Sequence, residues 1–385
     1  MKTLWLNIGA IDRDIDLSGR KQILTFLSKL GVEIRTTFNY ISDPQITIGD
    51  QVNIKLFHLK GGIHKISLMM AQQKYLYANR DVDVVILRAW KVHESFPLFL
   101  FLKKILKKDR PKFILDIRTL PVDLNHGMRQ LNKKRFDSAV KIALKYFDGI
   151  TVITDEMKRY IESRFNTYGK TIGVWSTGVD TELFNPKSVP DLREQFDIVD
   201  RFVVMYHGIF SPNRGLQATI RAIDIVRRRY PDILLFLLGK GPAEQEFRAL
   251  VKDFNLEHNV FIHSVVPFKE VPAFINMADI AILPFPSTEG WNTSAPLKLA
   301  EYMAMAKPCL VSDIPAHRNV FGNNPLGWYI NKSNTETIAE ALITAIREKE
   351  KLASIGLEAR EFALKNLSWE RQARILKSYL ESLLK

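Results

Sequence analysis

The chain has 385 residues, of which 46% are hydrophobic and 25% charged, and it contains a single cysteine. This length allows two domains with cores of ordinary size, and the composition is that of a globular protein. One cysteine excludes an internal disulfide and fits a reducing compartment. No apolar run approaches the roughly 20 residues that span a bilayer, and the opening KTLWLNIG predicts a first strand rather than a leader.

The net charge of +13 belongs entirely to the first half of the chain. Residues 1–170 carry 30 basic and 17 acidic side chains, whereas residues 171–385 carry 25 of each. A generally basic protein would be charged in both halves. The asymmetry therefore predicts a surface in the first half that contacts an anionic partner, either phospholipid head groups or nucleic acid.

Both halves alternate short apolar runs, which predict strands, with longer helical patterns. In the first half, strands are predicted at 2–9, 83–87, 112–117 and 149–154, and helices near 19–30, 64–79, 95–107, 129–147 and 156–165. In the second half, strands are predicted at 202–208, 233–239, 259–263, 279–285 and 308–313, and helices near 213–229, 243–254, 270–277, 296–305, 335–348, 350–365 and 368–384. Near-continuous apolar strands separated by helices are typical of parallel sheets covered on both faces. The sequence therefore predicts an α/β fold of two Rossmann-like domains, joined near the Gly/Pro/Asp-rich stretch 176–191.

Two segments of the second half lead from a predicted strand through a glycine-containing turn into a helix. In HGIFSPNRGL, Arg214 stands where the helix is expected to begin, and its fork of donors suits a phosphate. In LLGKGP, Gly239 and Gly241 allow the backbone to approach a ligand closely, and Pro242 suits a first helical position. Each motif alone is equally compatible with an ordinary turn.

A third segment, PSTEGWNTSAPLKLAEYM, also joins a predicted strand to a helix. Pro296 fits the first turn of this helix and Ser294 fits its N-cap, so backbone amides from Ser294 to Leu297 are expected at the helix start. Glu301 is expected near that start. A carboxylate there has two explanations, because it can offset the helix dipole or bind a ligand.

Taken in order, these segments resemble the retaining glycosyltransferases of family 4, which have the GT-B fold. The resemblance covers most of residues 171–384 and is carried by WSTGVDTELFNP, HGIFSPNRGL, LLGKGP, AFINMADIAILPF, APLKLAEYMAMAKPCLVSD and LSWERQA. It implies two Rossmann-like domains facing across a cleft. The acceptor-binding domain would span 1–175 and the nucleotide-sugar-binding domain 176–367, and a C-terminal helix at 368–385 would pack back on the first domain.

The resemblance also implies which residues bind the donor, which would be a sugar linked to UDP or to GDP. Glu301 would accept hydrogen bonds from the donor ribose, and Arg214 would contact the diphosphate together with the first amides of the helix. The other implied donor-binding residues are Gly208, Gly239, Gly241, Pro242, Glu289, Thr293, Ser294, Ala295, Leu297 and Lys298. No cofactor and no metal ion are expected.

Two positions depart from the family pattern. Thr293 stands where the family has the first acid of its E-x7-E motif, which contacts the transferred sugar, and Glu289 in the same loop is an alternative. Ile209 stands where the family has an arginine, and Lys298 either replaces that charge or is solvated. These departures bear on the identity of the sugar, and they leave a non-catalytic member of the family as an alternative.

The first half is less distinctive. In LDIRTLPVDLNHG, Asp116 and Arg118 resemble a "D.R" version of the family's segment after this strand, and His126 is the nearby imidazole. We expect Asp116 and His126 to be catalytic candidates beside Arg214, since a histidine can act as an acid or base near neutral pH. The alternative, which the sequence favours, is that His126 is a surface loop residue. The turn Ser18–Gly19–Arg20 loosely resembles the family's Gly-rich loop before a helix.

The segment ESFPLFLFLKKILKKDRPK (94–112) places apolar residues beside basic ones, a pattern typical of helices at a membrane surface. Its basic residues are Lys103, Lys104, Lys107, Lys108 and Arg110. A core helix with a solvated lysine end is the alternative, and NKKRFDSAVKIALKYF (132–147) could extend the same surface.

The sequence thus predicts a metal-independent, retaining hexosyltransferase that acts on a lipid-linked or cell-surface glycan acceptor. We expect it to be cytoplasmic and peripheral at the inner face of the cell membrane, through its basic first domain. Nucleic-acid binding is the less favoured partner, because no recognised RNA- or DNA-binding motif is visible.

Overall fold

The computed structural model describes residues 1–10, 17–40, 52–58, 64–106, 110–121 and 126–385. These residues form two compact units. Unit 1 comprises Met1–Gly178 and Trp369–Lys385, and unit 2 comprises Val179–Ser368. The boundaries predicted from the sequence lie after residues 175 and 367.

Unit 1 is built on a sheet of seven parallel strands in the order β3-β2-β1-β4-β5-β6-β7. The strands are β1 (Lys2–Ala10), β2 (Glu33–Tyr40), β3 (Val52–His58), β4 (Val84–Arg88), β5 (Lys112–Ile117), β6 (Gly149–Val152) and β7 (Ile172–Val174). The helices of the same unit are α1 (Leu17–Lys29), α2 (His64–Ala78), α3 (Ala89–Leu106), α4 (His126–Tyr146) and α5 (Asp155–Arg164).

Unit 2 is built on a sheet of six parallel strands in the order β10-β9-β8-β11-β12-β13. The strands are β8 (Phe202–Ile209), β9 (Ile233–Lys240), β10 (Val260–His263), β11 (Ile280–Leu283), β12 (Cys309–Ser312) and β13 (Gly327–Ile330). Its helices are α6 (Leu216–Arg227), α7 (Glu244–Asp253), α8 (Val271–Asn276), α9 (Glu289–Asn292), α10 (Leu297–Ala304), α11 (Pro315–Phe321), α12 (Thr335–Arg347) and α13 (Leu352–Asn366).

The last helix, α14 (Trp369–Ser382), belongs to unit 1, where it packs against α1 and β7. Two of its aromatic side chains fill spaces left by glycines: a Cβ on Gly19 or Gly178 would meet Trp369, and a Cβ on Gly149 or Gly173 would meet Tyr379. The Tyr379 hydroxyl also accepts the amide of Ile150 at 3.1 Å. The closing LSWERQA segment therefore has a packing role in unit 1.

Both sheets have the parallel, helix-covered arrangement that the apolar pattern predicts, so the expectation of two Rossmann-like domains is confirmed. The central strands are apolar throughout because both faces are covered: β4 is buried up to Leu87, and all of β11 is buried. Cys309 is a free thiol inside the core of unit 2, where burial raises its pKa. Within the described residues, no helix has both the length and the hydropathy to cross a bilayer.

Several elements were missing from the sequence prediction: β2, β3, β7, β13, α9 and α11. The edge strand β3 alternates half-buried and exposed residues, and β2 carries polar side chains such as Thr36 and Thr37 inside the sheet. Neither strand is the continuous apolar run on which the prediction relied. The helices α9 and α11 have 4 and 7 residues, too few for a helical period to appear.

His317 on α11 is a buried histidine, and only one of its two ring nitrogens has a hydrogen-bond partner among the described residues. Its Nδ1 lies 2.7 Å from the carbonyl oxygen of Ser312 and donates to it, while Nε2 is buried without a partner among the described residues. Burial lowers the pKa of this imidazole to about 4, against the opposing effect of the Ser312 carbonyl. His317 is therefore neutral in the folded protein at pH 7.

We expect the buried imidazole of His317 to make folding sensitive to mild acid. A folded-state pKa of about 4, below the usual value near 6.5, means that the unfolded chain binds the proton first. The free energy of unfolding is therefore undiminished above pH ~6.5 and decreases as the pH falls towards 4. At pH 5 the decrease is about 2 kcal/mol. Urea unfolding of the wild type and of His317→Asn at pH 7.5 and pH 5 measures this. The variant should lose about 2 kcal/mol less than the wild type, and equal losses would contradict the assignment.

Candidate functional site

The glycines of unit 2 lie where β8 and β9 end side by side. Gly208 pairs in register with Gly239, and a Cβ on Gly239 would overlap with the carbonyl of Gly208. A Cβ on Gly241 would likewise overlap with the backbone of Phe210. The glycines of LLGKGP are therefore required for close approach of two backbone segments, whatever else they contact. Beside them is a depression of about 520 Å³ lined by Gly241, Pro242, Glu244, Gln245 and Arg248.

The prediction that Pro242 opens a helix is wrong, because α7 begins two residues later at Glu244. Arg214 also precedes its helix: it ends a short 3-10 turn, Pro212–Arg214, and Gly215 with φ +74° separates it from α6. A Cβ on Gly215 would overlap with the carbonyl of Pro284. Both motifs therefore sit in the turn that follows a strand, as the sequence suggests, while the helices start later.

Arg214 is oriented by aromatic rings. Its guanidinium lies 5.0 Å from the ring centre of Trp291 and 5.7 Å from that of Phe285, and these two rings stack at 4.2 Å. The Trp291 indole N–H donates to the carbonyl of Asn213 at 2.9 Å, which fixes the ring beside the 3-10 turn. No carboxylate of the described residues forms an ion pair with Arg214, and its Nε is buried without a partner. A guanidinium that lies over aromatic rings can still direct its exposed N–H donors at a ligand.

Thr293 closes the short helix α9. Its hydroxyl donates to the carbonyl of Glu289 at 2.9 Å, and the residue is only 6% exposed. At the other end, the Thr288 side chain accepts the amide of Trp291. The residue at the position of the expected first acid thus makes a local backbone contact that holds Trp291 in place.

The expected N-cap at Ser294 is wrong. The helix α10 begins at Leu297 with Pro296 as its N-cap residue, and no side chain caps it. Ser294 instead donates its hydroxyl and its amide to the carbonyl of Trp291, at 2.8 and 3.1 Å. Since proline has no N–H, the amides that α10 can offer to a ligand begin at Leu297 rather than at Ser294.

Glu301 is the fifth residue of α10, one turn beyond the helix start. The dipole explanation applies to the first turn only, so it does not account for this carboxylate. Glu301 is 6% exposed, and its Oε2 lies 2.9 Å from Nε2 of His207. Its second oxygen, Oε1, has no hydrogen-bond partner among the described residues and keeps some access to solvent.

His207 is a site residue that the sequence analysis did not identify. It is the third residue from the end of β8, directly before Gly208, and it is 8% exposed. Burial lowers the pKa of its imidazole, with Lys298 acting in the same direction and Glu301 opposing it. The neutral ring donates through Nε2 to Glu301, because a carboxylate oxygen can only accept, and Nδ1 is buried without a partner among the described residues. The only hint in the sequence was a histidine near the end of the otherwise hydrophobic run FVVMYHG.

Lys298 lies across the end of β8. A Cβ on Gly208, which has φ +119°, would overlap with the Lys298 side chain, and the ammonium nitrogen would be 2.9 Å from it. This places a cation one residue from Ile209, where the family resemblance expects an arginine. Arg214, Lys298, Glu301 and His207 thus all lie around the carboxyl end of β8, the edge at which parallel α/β sheets bind ligands.

In unit 1, Asp116 is 1% exposed at the end of β5. Its Oδ1 accepts the Thr151 hydroxyl at 2.8 Å and the Trp175 indole N–H at 3.0 Å, and its Oδ2 lies 4.0 Å from Nε of Arg88. Arg118 stacks on Trp175 at 3.6 Å. Asp116 therefore joins three elements of unit 1 and offers little surface to a substrate.

The other residues predicted for unit 1 are His126, Gly19 and Arg20. His126 is the first residue of α4, and its side chain lies outside the described part of the structure. Gly19 and Arg20 belong to the first turn of α1, which begins at Leu17, and not to a loop before it.

The apolar and basic segment of unit 1 is α3, which has two different faces. Val92, Phe99 and Leu102 are buried in the core, while Leu100, Phe101 and Ile105 are 44, 48 and 46% exposed. Tyr77 of α2 extends the exposed face, its ring 6.2 Å from that of Phe101.

Of the basic residues predicted for this surface, Lys103 and Lys104 are exposed on α3, and Lys107 and Lys108 lie outside the described residues. Arg110 forms a two-point ion pair with Asp148 at 2.7 and 2.9 Å. Arg110 is therefore a structural cation and does not belong to the solvated basic group.

Comparison with known proteins finds a glycosyltransferase family that matches most of unit 2. Residues 188–362 match the family of glycosyl transferases group 1. The chain is 26% identical over 246 residues to a GDP-mannose-dependent alpha-(1-6)-phosphatidylinositol monomannoside mannosyltransferase of Mycolicibacterium smegmatis, a match that covers 61% of this chain and 64% of that protein. It is 24% identical over 152 residues to an alpha-D-kanosaminyltransferase of Streptomyces kanamyceticus, covering 40% of this chain and 38% of the relative. The chain thus matches less than two thirds of the length of these curated relatives.

Solved structures extend the likeness in fold to nearly the whole chain. Sucrose-phosphate synthase from Thermosynechococcus elongatus superposes with a TM-score of 0.78 at 15% identity, over 99% of this chain and 98% of that one. HepE of Anabaena, in complex with UDP and glucose, superposes with a TM-score of 0.76 at 15% identity, over 99% and 100% of the two chains.

Proposed function

We propose that this chain is a retaining glycosyltransferase that uses a nucleoside-diphosphate sugar as donor, because residues 188–362 match the family of glycosyl transferases group 1 and the fold resembles that of sucrose-phosphate synthase. The observation that carries the proposal is the carboxylate of Glu301. One of its oxygens is held by His207, and the other has no hydrogen-bond partner among the described residues.

A buried carboxylate is costly unless hydrogen-bond donors satisfy it. The two vicinal hydroxyls of a ribose are such donors, and a neighbouring helix start and two cations suit the diphosphate attached to the same ribose. Glu301, Lys298 and Arg214 are therefore proposed to bind the nucleoside-diphosphate part of the donor. The turn at Gly239, Gly241 and Pro242 would line the nucleotide side.

Catalysis is proposed to depend on positioning and on stabilising the departing diphosphate. Arg214 and Lys298 would neutralise its growing charge, and the first amides of α10, from Leu297, would bind the distal phosphate. Asp116 is proposed to act in unit 1 by holding Arg88 and Trp175 in position, and His126 remains the candidate acid or base. We propose that no metal ion takes part.

The transferred sugar and the nucleobase of the donor are proposed from the loop around Thr293 and from the relatives. Glu289 is proposed to contact the transferred hexose, because the hydroxyl of Thr293 donates to a backbone carbonyl of its own loop. A UDP- or GDP-linked donor is supported by the UDP bound in HepE and by the GDP-mannose in the name of the Mycolicibacterium relative. The same placement of Thr293 favours the second candidate function, a non-catalytic protein that binds nucleotide sugars.

The acceptor is proposed to be a lipid-linked or cell-surface glycan at the inner face of the cell membrane. Support comes from the exposed group Tyr77, Leu100, Phe101 and Ile105 beside Lys103 and Lys104. Apolar side chains that enter the head-group region and cations that attract anionic lipids act together at such surfaces. The Mycolicibacterium relative is named for an acceptor that contains phosphatidylinositol.

A donor panel tests the proposed activity. We expect one or more of UDP-glucose, GDP-mannose and ADP-glucose to raise the melting temperature, and the wild type to release nucleoside diphosphate when a bacterial lipid extract is supplied. Glu301→Ala should abolish the shift. Arg214→Ala should slow release about 100-fold or more, as loss of a charge-stabilising donor does in other enzymes, whereas Arg221→Ala, an exposed arginine of α6, should not change it.

No shift with any of the three sugars would refute the donor site. A shift without release in any extract would favour the non-catalytic alternative. Equal release by Arg214→Ala and the wild type would refute the role of Arg214.

Vesicle binding tests the proposed membrane surface. We expect the full chain to sediment with vesicles containing phosphatidylglycerol, and less so as salt is raised. Phe101→Ser with Ile105→Ser should weaken binding about tenfold or more, since each buried side chain contributes about 1.5 kcal/mol. Leu357→Ser, which changes an apolar residue of unit 2 that is 61% exposed, is the matched control. A salt-sensitive complex with RNA but no binding to vesicles would contradict the proposal.

A further inference from the structure

We propose that His207 is a positioning residue for the donor, which holds the carboxylate of Glu301 so that its free oxygen can accept a ribose hydroxyl. This inference rests on the proposed donor site and adds a residue to it. His207 would not touch the sugar or the reacting atoms, and it would act through Glu301.

The geometry fastens α10 to the end of β8 through this one residue. The His207 side chain bonds Glu301 at 2.9 Å, and its backbone amide donates to the hydroxyl of Tyr302 at the same distance. The imidazole also lies edge-on to the Tyr302 ring, with centres 5.0 Å apart. Two successive residues of α10 are thus fixed relative to the strand that carries Gly208. An 8-residue helix with no side-chain cap has few other means of fixing the direction of one carboxylate.

The protonation state of His207 suits this role. The charged and titratable groups that face its ring are Glu301, Lys298 and Tyr302. A cationic ring would bury a second N–H at Nδ1 with no acceptor among the described residues. A neutral donor fixes Oε2 and leaves Glu301 with its full negative charge, which strengthens the hydrogen bonds that Oε1 can accept.

His207 also competes with an unproductive contact. Lys298 precedes Glu301 by three residues on the same helix, a spacing at which a lysine and a glutamate can pair. A Glu301 side chain released from β8 could turn towards that ammonium. Such a pair would occupy both the ribose acceptor and a proposed diphosphate cation, whereas the bond to His207 directs the Glu301 carboxylate towards β8.

Nucleotide affinity measured by calorimetry tests this role, with UDP, GDP and ADP as probes and the full chain as the protein. His207→Phe should weaken the tightest of the three about tenfold or more, since a hydrogen bond to a charged group contributes about 1.5–3 kcal/mol. His207→Gln, which can still donate to Glu301, should bind within about threefold of the wild type. Asn259→Ala is the control, because Asn259 is a buried hydrogen-bonding residue of the same unit whose side chain donates to the carbonyls of Pro231 and Ile233, at the other end of the strands. It should lower the melting temperature and leave affinity unchanged.

A cycle with Glu301→Ala shows whether His207 acts through that carboxylate. In the Glu301→Ala background, His207→Phe should change affinity by less than about twofold, because the group it positions is gone. Unchanged affinity in a folded His207→Phe protein, equal losses in the Phe and Gln variants, or an effect that persists without Glu301 would each overturn the inference alone. Failure of the wild type to bind any of the three nucleotides would overturn the proposed donor site and this inference with it.

Discussion

The candidate site of unit 2 depends on one buried carboxylate that is only half satisfied. Glu301 sits one turn inside α10 among apolar neighbours, where an ionised group is tolerated only with hydrogen bonds. The imidazole of His207 supplies one of them and is itself kept neutral by burial. The remaining oxygen, at the end of β8, keeps some access to solvent and has no hydrogen-bond partner among the described residues. We propose that it accepts a hydroxyl of the bound nucleotide.

The other site residues are arranged around the same strand end by local constraints. Close backbone approach requires glycine at 239 and 241, and Gly208, which has φ +119°, is covered by the Lys298 side chain. Arg214 is held by the rings of Trp291 and Phe285 instead of by an acid. The loop that carries Trp291 is in turn closed by Thr293. These contacts place two cations, Arg214 and Lys298, around the end of β8, where we propose that the diphosphate binds.

The fold could be read from the sequence wherever a strand is buried on both faces. Runs such as ILLFLLG and DIAILPF allow few other interpretations, and the wide spacing of helices between them predicts parallel sheets. The elements that were missed carry polar or alternating residues, as β2 and β3 do, or are too short to show a period, as α9 is. The helix starts at 242 and 296 were placed early because proline marks a favourable position without fixing the register of the helix.

The site was only partly visible in the sequence for a different reason. Arg214, Lys298 and Glu301 stand in segments with a recognisable pattern, so their roles could be proposed from resemblance. The contact between His207 and Glu301 joins residues 94 positions apart, and no local pattern records it. No local pattern records the two rings that orient Arg214 either. The ion pair of Arg110 with Asp148, which makes Arg110 a structural cation, also joins residues far apart in the sequence.

We propose that Glu301 binds the ribose of a nucleotide donor, and the affinities of a nucleotide and its 2′-deoxy form test this contact directly. If UDP proves to be the bound nucleotide, the ratio of the dissociation constants of 2′-deoxy-UDP and UDP should be about ten or more for the wild type, as expected for a hydrogen bond to a charged group. The ratio should fall to near one in Glu301→Ala. The same pair of guanosine nucleotides serves if GDP is preferred. A ratio near one in the wild type, or a ratio that is unchanged in Glu301→Ala, would contradict the account.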